Sequence, residues 1–437
     1  MHTSDISEML DFLGIGDVEE LFKDIPERFR IKSLDIPPGL SEMEVIAYLK
    51  NLSSMNSRTA RCFLGAGIYD VFIPSIVMEV LRRSELYTSY TPYQSEMSQG
   101  LLQLIFEYQS LMSELTGMEV INASMYDGSS ALGEGALMCT RIREGSYFLI
   151  PRAMAPWKKS VLRNYLQGTG TIVREYGFDP QTGKSDFNEL LSSSKDACGV
   201  YVEMPGFFGL YEEEILDLKE SLGNVPLVVG VNPSSLATTV PPGDYGADIV
   251  VGDGQSLGLG LNFGGPLLGI LGCRKEYVRK MPGRLVGLTT DSEGRRAFCL
   301  TLQAREQHIR RAKANSNICT NQTLLAIAAM VYIAAMGPEG MREVANRTEE
   351  NRASAVELLR SERFHPRFSG PGYNEVVLET ERNPSEIFNE LLRYSIIGGL
   401  PLNTMFPELG NSSLWAFNEV MQRADIESLM SVLEEIV

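Results

Sequence analysis

Six short apolar runs punctuate the middle of the chain: Tyr147–Ile150, Thr171–Val173, Gly199–Val202, Pro226–Val231, Ala247–Val251 and Pro266–Gly272. Most are rich in β-branched or large aliphatic residues and lie between glycine, proline or charged positions, the pattern of strands buried on both faces. Amphipathic segments alternate with them, so the sequence predicts an α/β domain built on a mostly parallel sheet. Ahead of this block a helix over Gln99–Leu115 ends at Gly117. Behind it, Ser316–Asn321 leads into an apolar helix over Gln322–Met336, and Pro338, after Gly337, opens a connecting helix to Leu359. Strand Glu375–Glu379, helix Ser385–Tyr394, the turn Gly398-Gly399, strand Ser413–Phe417 and helix Ile426–Ile436 then predict a small α+β domain.

The N-terminal pattern differs. Ile6, Met9, Leu10 and Leu13, then Val18, Leu21 and Phe22 beyond the Gly14–Gly16 break, predict two short helices. Ser41 and Glu44 have capping-box spacing, and the helix they open carries Val45, Ile46, Leu49 and Leu52 on one face. Pro26, Pro37 and Pro38 keep these pieces apart, which points to an arm over another surface or a cap on the same subunit. The expected organisation is a helical N-terminal arm (1–60), a large α/β domain (61–325) and a small C-terminal α+β domain (326–437).

Composition narrows the function classes. A 437-residue chain with 44% apolar residues is ordinary for a globular protein, and its formal net charge of −17 disfavours nucleic acid or an anionic membrane as the main partner. Six cysteines without a CxxC pair read as thiols in a reducing compartment, and three distant histidines, His2, His308 and His365, argue against a metal centre. MHTSDISEML has no leader-like pattern and no apolar run approaches membrane-spanning length, so a cytoplasmic location is expected.

The candidate chemistry gathers around a glycine-rich loop, Gly252 to Gly265, lying between two predicted strands. Ligands of α/β sheets sit at the carboxyl ends of strands, so this loop and Asn232, at the end of the preceding strand, should be neighbours, with Asn232 and Asp253 as polar groups. No lysine occurs between Lys219 and Lys275. Cys62–Pro74 fails as a dinucleotide fingerprint because the third glycine of GxGxxG is missing. Tyr87–Gly100 clusters Tyr87, Tyr90 and Tyr93 with Thr91, Gln94, Ser95 and Gln99, either lining a polar pocket or forming a surface turn. Gly128, Ser129 and Ser130 stand at a helix start, where they serve an anion or simple capping. Arg284–Asn321 concentrates Arg295, Arg296, Arg305, Arg310 and Arg311, either as a carboxylate or phosphate site or as a solvated helix face.

FLGAGIYDVFIP, TPYQSEMSQGLLQLIFEYQSLMSELTGMEVINASMYDG, VVGDGQSLGLGLNFGGPLLG, MPGRLVGLTTDSEGRRAFCLTLQAREQHIRRAKANSNICTNQ and GGLPL together closely resemble the P-protein (glycine decarboxylase) family of the glycine cleavage system, in the α subunit (subunit 1) of its two-chain form. The resemblance runs from about Ile6 to the C-terminus. It implies an aspartate-aminotransferase-like large domain of pyridoxal phosphate fold type I. It also implies a homologous β subunit that carries pyridoxal 5'-phosphate and its lysine, in an α2β2 assembly, with no cofactor bound covalently to this chain. The implied reaction decarboxylates glycine and transfers the aminomethyl group to the lipoyl arm of the H-protein. Thr91, Tyr93 and Gln94 are then expected at the partner's active site, with Arg305 and Asn317 helping to hold phosphate or carboxylate. The chain departs from the family at Val71, where a histidine is expected, at Asn232, where an aspartate is expected, and at Ala312 and Asn315. These departures put in doubt a chemical role for the Val71 turn and weaken any degenerate cofactor site. Two alternatives are a stand-alone phosphate- or nucleotide-binding protein, disfavoured by the absent GxGxxG and Walker lysine, and a purely structural partner.

Overall fold

The centre of the computed structural model, which describes residues 3–31, 33–56 and 61–437, is a seven-stranded sheet. Its strands are β1 (Val120–Ile121), β2 (Tyr147–Pro151), β3 (Ile172–Tyr176), β4 (Ala197–Met204), β5 (Leu227–Val231), β6 (Ile249–Asp253) and β7 (Gly269–Cys273). They lie in the order β1-β7-β6-β5-β4-β2-β3. The inner pairs are parallel, whereas β7 runs antiparallel to both β6 and β1. Successive side chains of a strand point to opposite faces. Val229 and Val250 accordingly enter a core with Tyr108, Met112 and Ala326–Met330, while Val228 and Val251 enter a second core with Ala131, Ala136 and Leu162. Burying such a side chain contributes roughly 1.5–3 kcal/mol, and this two-sided burial is why these strands read as unbroken apolar runs.

The chain separates into two compact units, Met1–Arg58 and Thr59–Val437. In the first, an α-helix (Thr3–Leu13) and a 3-10 turn (Val18–Phe22) precede the helix Glu42–Ser54, whose Ser41 and Glu44 form the expected capping box. Val45, Ile46, Leu49 and Leu52 are all exposed. The boundary expected at residue 60 falls among 57–60, and His2 at the start of the chain; both lie outside the described residues.

Within the second unit a four-stranded antiparallel sheet joins Phe364–Pro366, Glu375–Thr380, Ser412–Ala416 and Leu400–Pro401 in that order, packed with the helices Pro384–Leu391 and Arg423–Ile436. The helix Thr323–Leu358 is interrupted at Gly337 (φ 60°), where proline follows. Among the described residues it alone is long and apolar enough by length and composition to cross a membrane, a correction to the reading that no run approaches that length. Its residues 326–330 and Tyr332 belong to the protein core. The arginine-rich stretch also needs correction: Leu285–Thr290 and Arg296–Thr301 form a β-hairpin, not a helix face. Asp291 closes its turn by accepting from the backbone N–H groups of Glu293 and Arg295.

Candidate active site

The carboxyl ends of β4, β5 and β6 open into a cavity of about 210 Å³. The predicted neighbours meet there: Asn232, Gly252, Asp253 and Ser256 all line it. Asn232 Oδ1 accepts from Ser256 Oγ at 2.8 Å and from Ser234 Oγ at 2.9 Å. Gln255, fully buried, ties the glycine loop to the 66–69 segment by accepting from Tyr69 N and donating to Tyr69 O.

The cavity's charge comes largely from residues the sequence reading passed over. Lys158, in the first turn of helix Pro156–Leu166, donates to Glu203 Oε1 at 2.7 Å, and Tyr201 donates to the same oxygen at 2.9 Å. The Tyr201 ring fits because Gly230 has no side chain; a Cβ there would lie 2.1 Å from the phenolic oxygen. Burial by itself lowers the Lys158 pKa, but the Glu203 carboxylate outweighs it and the ammonium is held above its usual range. Glu375, at the start of its strand in the four-stranded sheet, is buried and accepts from Ala66 N, and burial pushes its pKa up to about 7. Asp253 is pushed up to about 6, again by burial, against the pull of the backbone N–H groups bonded to it.

Asp253 also decides what the helix Gly128–Ile142 offers. A helix N-terminus attracts anions through its free N–H groups. Here Asp127 Oδ1 accepts from Ser130 N at 2.8 Å, and Asp253 Oδ2 accepts from Gly128 N at 2.9 Å. Two carboxylates of the chain itself thus take this helix start; Ser130 serves the cap, its hydroxyl accepting from Asp127 N, while Ser129 lines the cavity.

A second polar cluster surrounds Tyr93, which does not line the cavity. Tyr93 is 47% exposed and sits between two short 3-10 turns, Ser84–Tyr87 and Ser95–Met97. Its hydroxyl accepts from Arg284 Nη2 at 2.8 Å, and the guanidinium carbon stands 5.0 Å from its ring centroid. His308 meets the ring edge-on at 5.9 Å. Arg284 is buried, and it also donates from Nη1 to Asn321 Oδ1 at 3.3 Å and from Nη2 to Cys319 O. Glu306 Oε2 lies 4.0 Å from Arg284 Nε, yet Arg284 Nε and Glu306 Oε1 are buried without a hydrogen-bond partner.

The other expected site residues divide. Thr91 and Gln94 belong to the Tyr93 turn, where Tyr93 N donates to Thr91 O at 2.9 Å, and Gln94 is exposed. Asn317 is exposed in the 315–321 loop. That loop is held by Arg141, which donates to Asn315 O at 2.8 Å, and by Ser316, whose hydroxyl donates to the buried Glu134. Arg305 is not presented as an open fork for a ligand: its three nitrogens donate to the carbonyls of Leu302, Met281 and Gly283. Burial lowers its pKa. Among the described residues no group of three His, Cys, Asp or Glu side chains is placed to hold a metal ion.

Comparison with known proteins is consistent along the whole chain. Residues 1–433 match the profile of the family described as glycine cleavage system P-protein. A protein of Carboxydothermus hydrogenoformans, named probable glycine dehydrogenase (decarboxylating) subunit 1, is 48% identical over 99% of this chain and 98% of its own length. A crystal structure of glycine decarboxylase (P-protein) of the glycine cleavage system, in inhibitor-bound form, superposes with a TM-score of 0.91 at 38% identity, covering 100% of this chain and 99% of that one. A sphingosine-1-phosphate lyase of Burkholderia pseudomallei shares the fold, with a TM-score of 0.66 at 12% identity over 94% of each chain.

Proposed function

This chain belongs to the glycine cleavage system P-protein family, in its two-chain, subunit 1 form, and from that premise we propose that it serves glycine decarboxylation through its Tyr93 face while a partner subunit holds the cofactor. Its fold is the pyridoxal phosphate type I fold of that family. Pyridoxal phosphate, when bound, supplies the electron sink for the carbanion left by carbon dioxide. The acceptor is the lipoyl arm of the H-protein, and the partner is the homologous β subunit in an α2β2 assembly.

The cavity of this chain does not suit that cofactor. A phosphate placed there would face Glu203, Asp253 and Glu375, and the helix start that would hold it already carries Asp127 and Asp253. The pyridinium nitrogen lacks a carboxylate at Asn232, and the one lysine lining the cavity, Lys158, is paired with Glu203. The same features disfavour a stand-alone phosphate- or nucleotide-binding role. Borohydride reduction of the isolated chain with pyridoxal phosphate, followed by peptide mapping, is expected to leave no stoichiometric adduct. A single adduct at Lys158 or Lys275 would overturn the placement of the cofactor on the partner.

The observation that carries the reading is a half-exposed Tyr93 whose hydroxyl is backed by a buried guanidinium. Because that oxygen accepts from Arg284, its own proton is left to donate to an anionic atom of the bound substrate. Thr91 and Gln94 on the same turn, and exposed Asn317 on the loop whose Cys319 and Asn321 Arg284 also holds, would add a hydroxyl and two amides. Arg305 contributes by bracing the 281–283 backbone. Removing one such hydrogen bond costs about 1.4 kcal/mol, a factor of about ten. Tyr93→Phe in the assembled complex is therefore expected to lower kcat/KM for glycine about tenfold; unchanged turnover and glycine affinity would sink the assignment.

A further inference from the structure

We infer that Arg284 is the positioning residue of the Tyr93 face, fixing the Tyr93 hydroxyl and the end of the 315–321 loop through one guanidinium. The inference rests on the reading that Tyr93 meets the substrate, and it adds the part that sets where Tyr93 stands.

Tyr93 is 47% exposed. The side chain projects from a segment of 3-10 turns, and apart from Arg284 its only described ring neighbour is His308, itself half exposed. Arg284, by contrast, immediately precedes the hairpin strand Leu285–Thr290, and its carbonyl accepts from Ala123 N at 2.8 Å. A half-exposed aromatic is thus referred to a backbone anchored at the edge of the main sheet, the arrangement by which a supporting shell transmits rigidity to a site.

The chemistry requires arginine. Three acceptors from three places are reached at once: the Tyr93 hydroxyl and Cys319 O by Nη2, and Asn321 Oδ1 by Nη1. A planar fork spans such points, whereas an ammonium presents its donors from a single atom. Asn321 in turn donates to Ser124 Oγ at 3.0 Å, so the guanidinium also registers the loop against the chain segment next to β1.

The position of the nearest carboxylate strengthens the case. Glu306 lies within 4.0 Å of Arg284 Nε, yet the two make no hydrogen bond, and both leave a buried polar atom unpartnered. Buried polar atoms left without a hydrogen bond are costly, and a structure tolerates them where geometry serves another purpose. Here the guanidinium is oriented to the Tyr93 and loop oxygens in preference to its own counter-ion.

The test is a double-mutant cycle in the assembled complex, combined with an NMR readout on this chain labelled with 13Cζ-tyrosine. Arg284→Lys is expected to lower kcat/KM for glycine about tenfold in the wild-type background. In the Tyr93→Phe background it is expected to lower it less than twofold further, because its effect is exerted through the hydroxyl. The Tyr93 resonance, assigned by its loss in Tyr93→Phe, is expected to move in Arg284→Lys. Full additivity of the two losses, or an unmoved resonance, overturns the inference. If Tyr93→Phe leaves turnover intact while Arg284→Lys still moves the resonance, positioning stands and the functional reading of Tyr93 falls. Should Arg284→Lys fail to fold, Asn321→Ala keeps the charge and releases Nη1; it is expected to move the same resonance and to lose about threefold in kcat/KM, absent in the Tyr93→Phe background.

Discussion

The two polar regions of the second unit are opposites in how their charges are answered. In the cavity at the ends of β4, β5 and β6, Lys158 meets Glu203, Asp253 meets two backbone N–H groups, and Gln255 is bonded on both sides of its amide. Around Tyr93 the residue itself is half exposed while Arg284 Nε and Glu306 Oε1 stay buried and unpartnered. A region whose groups satisfy one another is finished within its own chain. A region that leaves polar groups open fits work shared with another molecule.

On the function proposed above, the cavity is a matter of stability and the Tyr93 face a matter of turnover, and substitutions can separate the two. The largest expected effect is Gly230→Ala. Its Cβ falls 2.1 Å from the oxygen of Tyr201, a fully buried ring bonded to Glu203, and overpacking of this kind costs roughly 3 kcal/mol in chemical denaturation. Lys158→Met leaves Glu203 buried without its cation and is expected to cost about 2 kcal/mol, discounted because the lysine side chain is 31% exposed, with glycine KM in the complex unchanged. A raised KM here would give the cavity a share in the reaction and break the comparison. Tyr93→Phe should do the reverse, losing about a factor of ten in kcat/KM while the unfolding midpoint stays put.

One further effect depends on pH. Glu375 has a folded-state pKa of about 7, above the unfolded value. Its stabilising neutral form is therefore fully present below about pH 4 and is lost as pH rises through 7. Glu375→Gln cannot ionise, so relative to the wild type it should gain about 2.5 kcal/mol between pH 5 and pH 8, read from urea unfolding at each pH. A difference that stays flat across this range would show that Glu375 carries no raised pKa.

Much of the fold was legible because local rules were obeyed. The run Pro226–Val231 locates β5 to within a residue, Gly337-Pro338 marks the break in the long helix, and Ser41 with Glu44 marks a helix start. The hairpin Leu285–Thr290/Arg296–Thr301 was hidden by its arginines, although Asp291 and Gly294 carry the turn chemistry that reveals it. The pairing of Asn232 with the glycine loop followed from where α/β sheets place ligands. Lys158, Glu203 and Glu375 did not follow from anything local. Each is a single charged residue in an otherwise ordinary helix or strand, and only tertiary folding brings them to one cavity. Arg284 was masked in the same way, as one arginine among several whose distinction is burial.

The two carboxylates on the first turn of helix Gly128–Ile142 have a consequence for the cell. A protein that folds around a bound cofactor depends on its supply, since ligand binding adds to the stability of the native state. Here the anion that would settle that helix start is built into the polypeptide as Asp127 and Asp253. With the cofactor on the partner, as proposed, the chain should mature and persist when the cofactor is scarce, and pulse-chase turnover of this subunit in cells starved of it should match that in replete ones.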